Sequence, residues 1–198
     1  MNNRQRIGVF GGTFDPVHNT HLKIAQAAMD YAKLDRVLFV VSATPPHKSG
    51  EVALDADTRL TLVEAAVADE SRMQACRLEI DRDGPSYTAD TIAQLHERYP
   101  QAQLFLIIGV DSLIDLPRWY NPRGILDYAH LLVVPRPGIA APIPPELEGH
   151  YDMLPFEVSD LSSTEIRQRL IAGNPVQDLL PAPVAAKIHE EGLYACRS

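Results

Sequence analysis

Apolar residues in this chain come in short, almost unbroken runs, separated by longer stretches in which they recur every three or four positions. Residues 7–10, 37–41, 104–108 and 131–134 are runs of the first kind, too short for helices and rich in Val, Ile, Leu and Phe. They predict strands buried on both faces, as in a parallel sheet. Residues 22–31, 58–68, 89–99 and 122–128 carry the helical spacing, with Asp57 and Thr88 placed to cap the second and third helices. Residues 153–158 predict a last strand. Ser162 then opens a helix through Ala172 that Gly173-Asn174-Pro175 stops, and residues 183–191 predict a short final helix ending at Gly192. Two segments break the pattern. Residues 42–55 hold Thr44-Pro45-Pro46-His47-Lys48, and residues 135–149 are rich in proline, so both predict exposed loops. The alternation predicts an α/β, Rossmann-like fold: a doubly wound parallel sheet in a single domain of 198 residues, with a small C-terminal helical part over about residues 160–198. In such a sheet, ligands bind beyond the carboxyl ends of the strands.

Composition narrows the function. Hydrophobic residues make up 45% and charged residues 22%, ordinary for a globular chain long enough to bury a core. The net charge of −8 and isoelectric point near 5.3 give no general basic field, so nucleic acid is not expected as a partner and any polyanion needs a local site. Cys76 and Cys196 lack metal or redox spacing and read as inert thiols. Residues 1–6 are polar and lead into a run too short for a secretory signal, and no run approaches a membrane span. The expected location is the cytoplasm, with no membrane partner.

The chemistry concentrates where the first strand meets the first helix. Gly11-Gly12-Thr13-Phe14-Asp15-Pro16-Val17-His18-Asn19-Thr20-His21 forms a glycine turn between them. Glycines let backbone approach an anion, and a helix start offers unpaired N–H groups and partial positive charge. His18 and His21, three residues apart, can face the same bound phosphate. The dinucleotide fingerprint Gly-x-Gly-x-x-Gly and the P-loop are both absent. Far along the chain, Ser162-Ser163-Thr164-Glu165-Ile166-Arg167 starts another helix with hydroxyls and a cation one turn in. These residues suffice for an ordinary helix cap, and equally for gripping an anion.

Gly12, Phe14, Pro16, His18 and His21 resemble the Gly-x-Phe-x-Pro-x-His-x-Gly-His signature of the HIGH-type nucleotidylyltransferases, with Thr20 where the family has glycine. The threonine adds bulk beside the phosphates. Leu161 through Arg167 resembles that family's second signature, Ile-Ser-Ser-Thr-x-x-Arg. The resemblance implies that His18 and His21 are catalytic donors and that Gly11, Gly12, Thr13, Phe14, Gly109, Asp111, Ser162, Ser163, Thr164 and Arg167 join them in holding ATP. Mg²⁺ is expected to bridge the triphosphate, with no metal site on the protein itself. Pro46-His47-Lys48, Ser86-Tyr87-Thr88, Gly109-Val110-Asp111, Trp119-Tyr120 and Arg136-Pro137-Gly138, in this order, resemble the branch that adenylylates nicotinate mononucleotide. That likeness runs from Gly8 to Tyr194. It implies an acceptor site of Asp15, His47, Lys48, Tyr87, Thr88, Trp119 and Tyr120, in which the indole stacks on the cationic ring and backbone N–H groups near Thr88 and Tyr120 take the carboxylate. Two other readings share these residues: a relative with another acceptor, against which the Ser-Tyr-Thr and Trp-Tyr segments argue, and a nucleotide-binding regulator without catalysis, supported only by Thr20.

Overall fold

The computed structural model describes residues 4–44, 52–136, 138, 142–157 and 161–194. Their framework is one parallel sheet of six strands: β1 (Arg6–Gly12), β2 (Arg36–Val41), β3 (Met73–Cys76), β4 (Gln103–Gly109), β5 (Ala129–Val134) and β6 (Tyr151–Met153). The spatial order is β3-β2-β1-β4-β5-β6, with every neighbouring pair parallel. The order reverses between β1 and β4, where Arg6 pairs with Gln103 and Phe10 with Ile107. That reversal opens a crevice at the carboxyl ends of the two strands, the general ligand position in this architecture.

The central strands are apolar along their whole length because both faces are covered. Val37, Phe39, Val41, Phe105 and Ile107 point into one core, and Leu38, Val40, Leu104, Leu106 and Ile108 into the other. Helices α1 (Asn19–Ala32), α2 (Ala56–Val67), α6 (Ser163–Ile171) and α7 (Ala182–Glu190) cover the first face through Ile24, Leu60, Ile166 and Val184. Helices α3 (Thr88–Arg98), α4 (Val110–Asp115) and α5 (Pro122–Tyr128) cover the second through Ile92, Leu113 and Ile125. The C-terminal helices thus share the core of the sheet.

Several local expectations are corrected. Strand β3 lies in a stretch not expected to be a strand, and the last strand is Tyr151–Met153, with residues 154–157 outside it. Both are short edge strands and only partly buried, so they lack the continuous apolar run that marks a central one. The cap of α2 is Asp55, not Asp57: its carboxylate accepts the Thr58 N–H at 2.8 Å and the Thr58 hydroxyl at 2.7 Å. Asp57 sits inside the first turn, where its charge suits the helix dipole. Tyr87, not Thr88, holds the capping position of α3, and Thr88 is its first helical residue. Ser162 does cap α6, accepting the Glu165 N–H at 3.2 Å. Cys76 keeps a free thiol whose pKa is pushed up by burial, while Cys196 lies outside the described residues. Among the described residues no helix is long and apolar enough to cross a membrane.

Candidate active site

The glycine turn leaves β1 at the reversal point and curls under the start of α1. Phe14 adopts a positive φ of 51° and buries its ring edge-on against Phe10 and His21, with centroids 5.7 and 5.1 Å apart. A Cβ on Gly12 would come within 2.8 Å of that ring, so a side chain there would displace the aromatic cluster. At Gly11 a Cβ would meet no protein atom within 4 Å, and this glycine borders open cleft. The first glycine position therefore gives a ligand access to backbone, while the second lets the turn close.

His18 occupies the capping position of α1 in extended conformation and is 4% exposed. Its ring stacks on that of His21, centroids 3.7 Å apart. The His18 backbone N–H donates to His21 Nδ1 at 3.2 Å, and the His21 N–H donates to the His18 carbonyl at 2.9 Å. Because Nδ1 of His21 accepts, the proton of the neutral His21 ring is assigned to Nε2. Nδ1 of His18 is buried without a partner among the described residues. Burial depresses the pKa of His18 to about 4, so its ring is neutral at pH 7.

This depression has a measurable consequence. A histidine in the unfolded chain takes its proton near pH 6.5, while folded His18 resists until about 4. Its contribution is intact above pH 6.5 and is lost progressively as pH falls towards 4, reaching roughly 3 kcal/mol of destabilisation. Urea unfolding between pH 7.5 and 4.5 should show this slope, and His18→Gln should flatten it relative to the parent. Parallel slopes for the two proteins would contradict the buried, neutral imidazole.

The second motif closes on the first across the cleft. The Ser163 hydroxyl donates to the Pro16 carbonyl at 3.0 Å. Arg167 Nη1 donates to the Asp15 carbonyl at 2.8 Å, and Nη2 to the Thr164 hydroxyl at 3.3 Å. The resulting cleft, about 510 Å³, is bordered by Gly11, Gly12, Thr13, Phe14, His18, His21, Gly109, Asp111, Ser162, Ser163, Thr164 and Arg167. Every residue expected around ATP therefore borders one cavity, although the two motifs lie far apart in sequence. Asp111 pairs with Arg136 at 3.3 Å. Thr20, the second residue of α1, is buried and also borders the cleft.

The residues expected around the acceptor divide. The rings of Tyr87 and Tyr120 lie 4.6 Å apart at a tilt of 31°, and half-buried Trp119 packs on the second core. The Ser86 hydroxyl accepts the N–H groups of Ala43 and Thr44, tying this aromatic cluster to the end of β2. Tyr87, Thr88, Trp119 and Tyr120 do not border the first cavity. Asp15 does, but it is 2% exposed and both carboxylate oxygens are taken inside the protein, by the Ala53 N–H and the Tyr194 hydroxyl. His47 and Lys48 lie outside the described residues.

Arg59 was not foreseen. It is 1% exposed, and its guanidinium donates to the carbonyls of Thr13, Ser42 and Leu54 at 2.6, 2.8 and 3.1 Å, bracing the turn against the loop after β2. The sequence signal was a lone arginine amid the apolar positions of a helix, easily read as surface.

A glycine turn at the reversal point, paired imidazoles at a helix start and a second helix start carrying an arginine form the site of a nucleotidyltransferase. Residues 9–169 match the family model described as cytidylyltransferase-like. A "Probable nicotinate-nucleotide adenylyltransferase" of Thermus thermophilus is 43% identical over 191 residues, covering 96% of this chain and 99% of that protein. The "Nicotinate-nucleotide adenylyltransferase" of Bacillus subtilis is 40% identical over 96% and 98%. The chain belongs to the nicotinate-nucleotide adenylyltransferases of the cytidylyltransferase-like family. The fold recurs in the Plasmodium falciparum nicotinic acid mononucleotide adenylyltransferase complexed with NaAD, at a TM-score of 0.78 and 17% identity over 96% of this chain and 97% of that one. It recurs also in a Vibrio parahaemolyticus structure described as a putative nicotinate-nucleotide adenylyltransferase, at 0.71 and 23% over 96% and 95%.

Proposed function

We propose that this chain transfers the adenylyl group of ATP to nicotinate mononucleotide, forming nicotinate adenine dinucleotide and pyrophosphate for NAD biosynthesis. The observation that carries the reading is the cleft itself: His18 and His21 at the start of α1 border the same cavity as Ser163, Thr164 and Arg167 at the start of α6. A phosphate oxygen of the acceptor attacks the α-phosphorus in line, and the bond from that phosphorus to the bridging oxygen breaks. Charge grows on the non-bridging oxygens and on the departing pyrophosphate. Neutral imidazole N–H groups and the backbone of the glycine turn stabilise it without a protein nucleophile. Arg167, Ser163 and Thr164 hold the leaving portion.

Mg²⁺ would arrive with the nucleotide and neutralise charge on the departing phosphates. The donor set fits that arrangement. The cleft offers N–H groups, hydroxyls and a guanidinium for phosphate oxygens, while its carboxylates, Asp15 and Asp111, already have internal partners. The cation's ligands would then be phosphate oxygens and water.

The Tyr87–Thr88 and Trp119–Tyr120 segments receive the pyridine ring and its carboxylate. A carboxylate accepts from fixed N–H donors, whereas an amide turns its NH₂ towards one and leaves it unpaired, at about 1–3 kcal/mol. Steady-state kinetics with the two mononucleotides should show kcat/KM favouring the acid by roughly ten- to a hundredfold or more. Equal values would remove the basis for this acceptor, and turnover with phosphopantetheine alone would replace it.

A further inference from the structure

The buried carboxylate of Asp15 gathers distant parts of the chain. Its Oδ2 accepts the Ala53 N–H at 2.7 Å, and its Oδ1 accepts the hydroxyl of Tyr194 at 2.7 Å, from 179 residues away. Arg167 comes closer to the Asp15 backbone than to the carboxylate: Nη1 lies 2.8 Å from the carbonyl but 3.8 Å from Oδ2. Arg167 is thus held beside Asp15 without the close carboxylate pairing that guanidinium groups favour, and the residue borders the cleft. Burial and the Asp15 charge push the Tyr194 hydroxyl far above its ordinary pKa, so it remains a proton donor. Tyr194 itself does not border the cleft, although Asp15, which it contacts, does.

We propose that Tyr194 is a positioning residue for the triphosphate: by occupying Oδ1 of Asp15, it keeps Arg167 from collapsing onto that carboxylate and leaves the guanidinium turned to the cleft. Without the hydroxyl, Oδ1 would be buried and unpaired, and Arg167, already 3.8 Å from its sister oxygen, is the described cation within ion-pair distance of this carboxylate. A bidentate pair would then form at the expense of phosphate. The inference rests on the reading of this cleft as the ATP site.

The test is Tyr194→Phe in the full chain, with binding of inorganic tripolyphosphate, ATP and nicotinate mononucleotide measured by calorimetry. Tripolyphosphate and ATP should each bind about tenfold more weakly, and nicotinate mononucleotide unchanged. In an Arg167→Ala background, Tyr194→Phe should cause no further loss, because the residue that it positions is gone. Equal loss for all three ligands, or a loss of the same size in the Arg167→Ala background, would reduce Tyr194 to general support of the fold and overturn the proposal. Unchanged binding by Tyr194→Phe, with ATP bound by the parent, would overturn it alone. A parent that binds neither ATP nor tripolyphosphate would overturn the reading of the cleft and the proposal together.

Discussion

Alanine at His18, and separately at His21, should lower kcat by about 10²–10³-fold while KM for ATP changes much less. The two rings stack at 3.7 Å at the cleft mouth, and the N–H of His18 fixes the orientation of the second through its Nδ1. Donors preorganised in this way act on charge that exists only as the α-phosphorus bond breaks, so their loss belongs in kcat. His18 is also desolvated and neutral, which suits the proposed role of a hydrogen-bond donor to the transition state better than that of a permanent cation for ground-state ATP. Steady-state kinetics on both variants separates these roles. A change confined to KM would make the histidines simple binding groups.

Replacing Arg59 by methionine should cost about 3–5 kcal/mol of folding stability, which for a chain of this size lowers Tm by on the order of 10 °C. The guanidinium is almost wholly buried and serves three backbone carbonyls, of Thr13, Ser42 and Leu54. Methionine keeps much of the apolar stem but leaves those acceptors unpaired and removes a positive charge that stabilises buried Asp15. The desolvation that lowers the Arg59 pKa is relieved in the variant, but the unpaired acceptors outweigh that gain. Thermal and urea unfolding measure the change directly. A loss below about 1 kcal/mol would mean that the loops reorganise freely without the arginine.

The sequence was most legible where the determining residues lie side by side. The glycine turn, its two histidines and the flanking strand and helix occupy one contiguous stretch, so their placement beside one cleft follows from local geometry. The four central strands were equally plain, because burial on both faces demands an unbroken apolar run. Strands β3 and β6 escaped because an edge strand needs only part of its surface apolar. Arg59 and Tyr194 were hidden for another reason. Their significance lies in partners 46 and 179 residues distant, at Thr13 and Asp15, and nothing in the local pattern around either residue encodes that pairing. Asp15 shows the same limit from the other side. Nothing in its local pattern encodes that its carboxylate accepts the Ala53 N–H and the Tyr194 hydroxyl.

The central claim is transfer of an adenylyl group to a pyridine mononucleotide, and label transfer tests it most directly. Purified protein would be incubated with ATP labelled at the α-phosphate, nicotinate mononucleotide and Mg²⁺, and the products separated by chromatography. The expected result is label in nicotinate adenine dinucleotide, with unlabelled pyrophosphate released in equal amount and both formed about 10²–10³-fold more slowly by the His18→Ala protein. Label remaining in ATP under these conditions, or appearing only when another phosphate acceptor is supplied, would contradict the account.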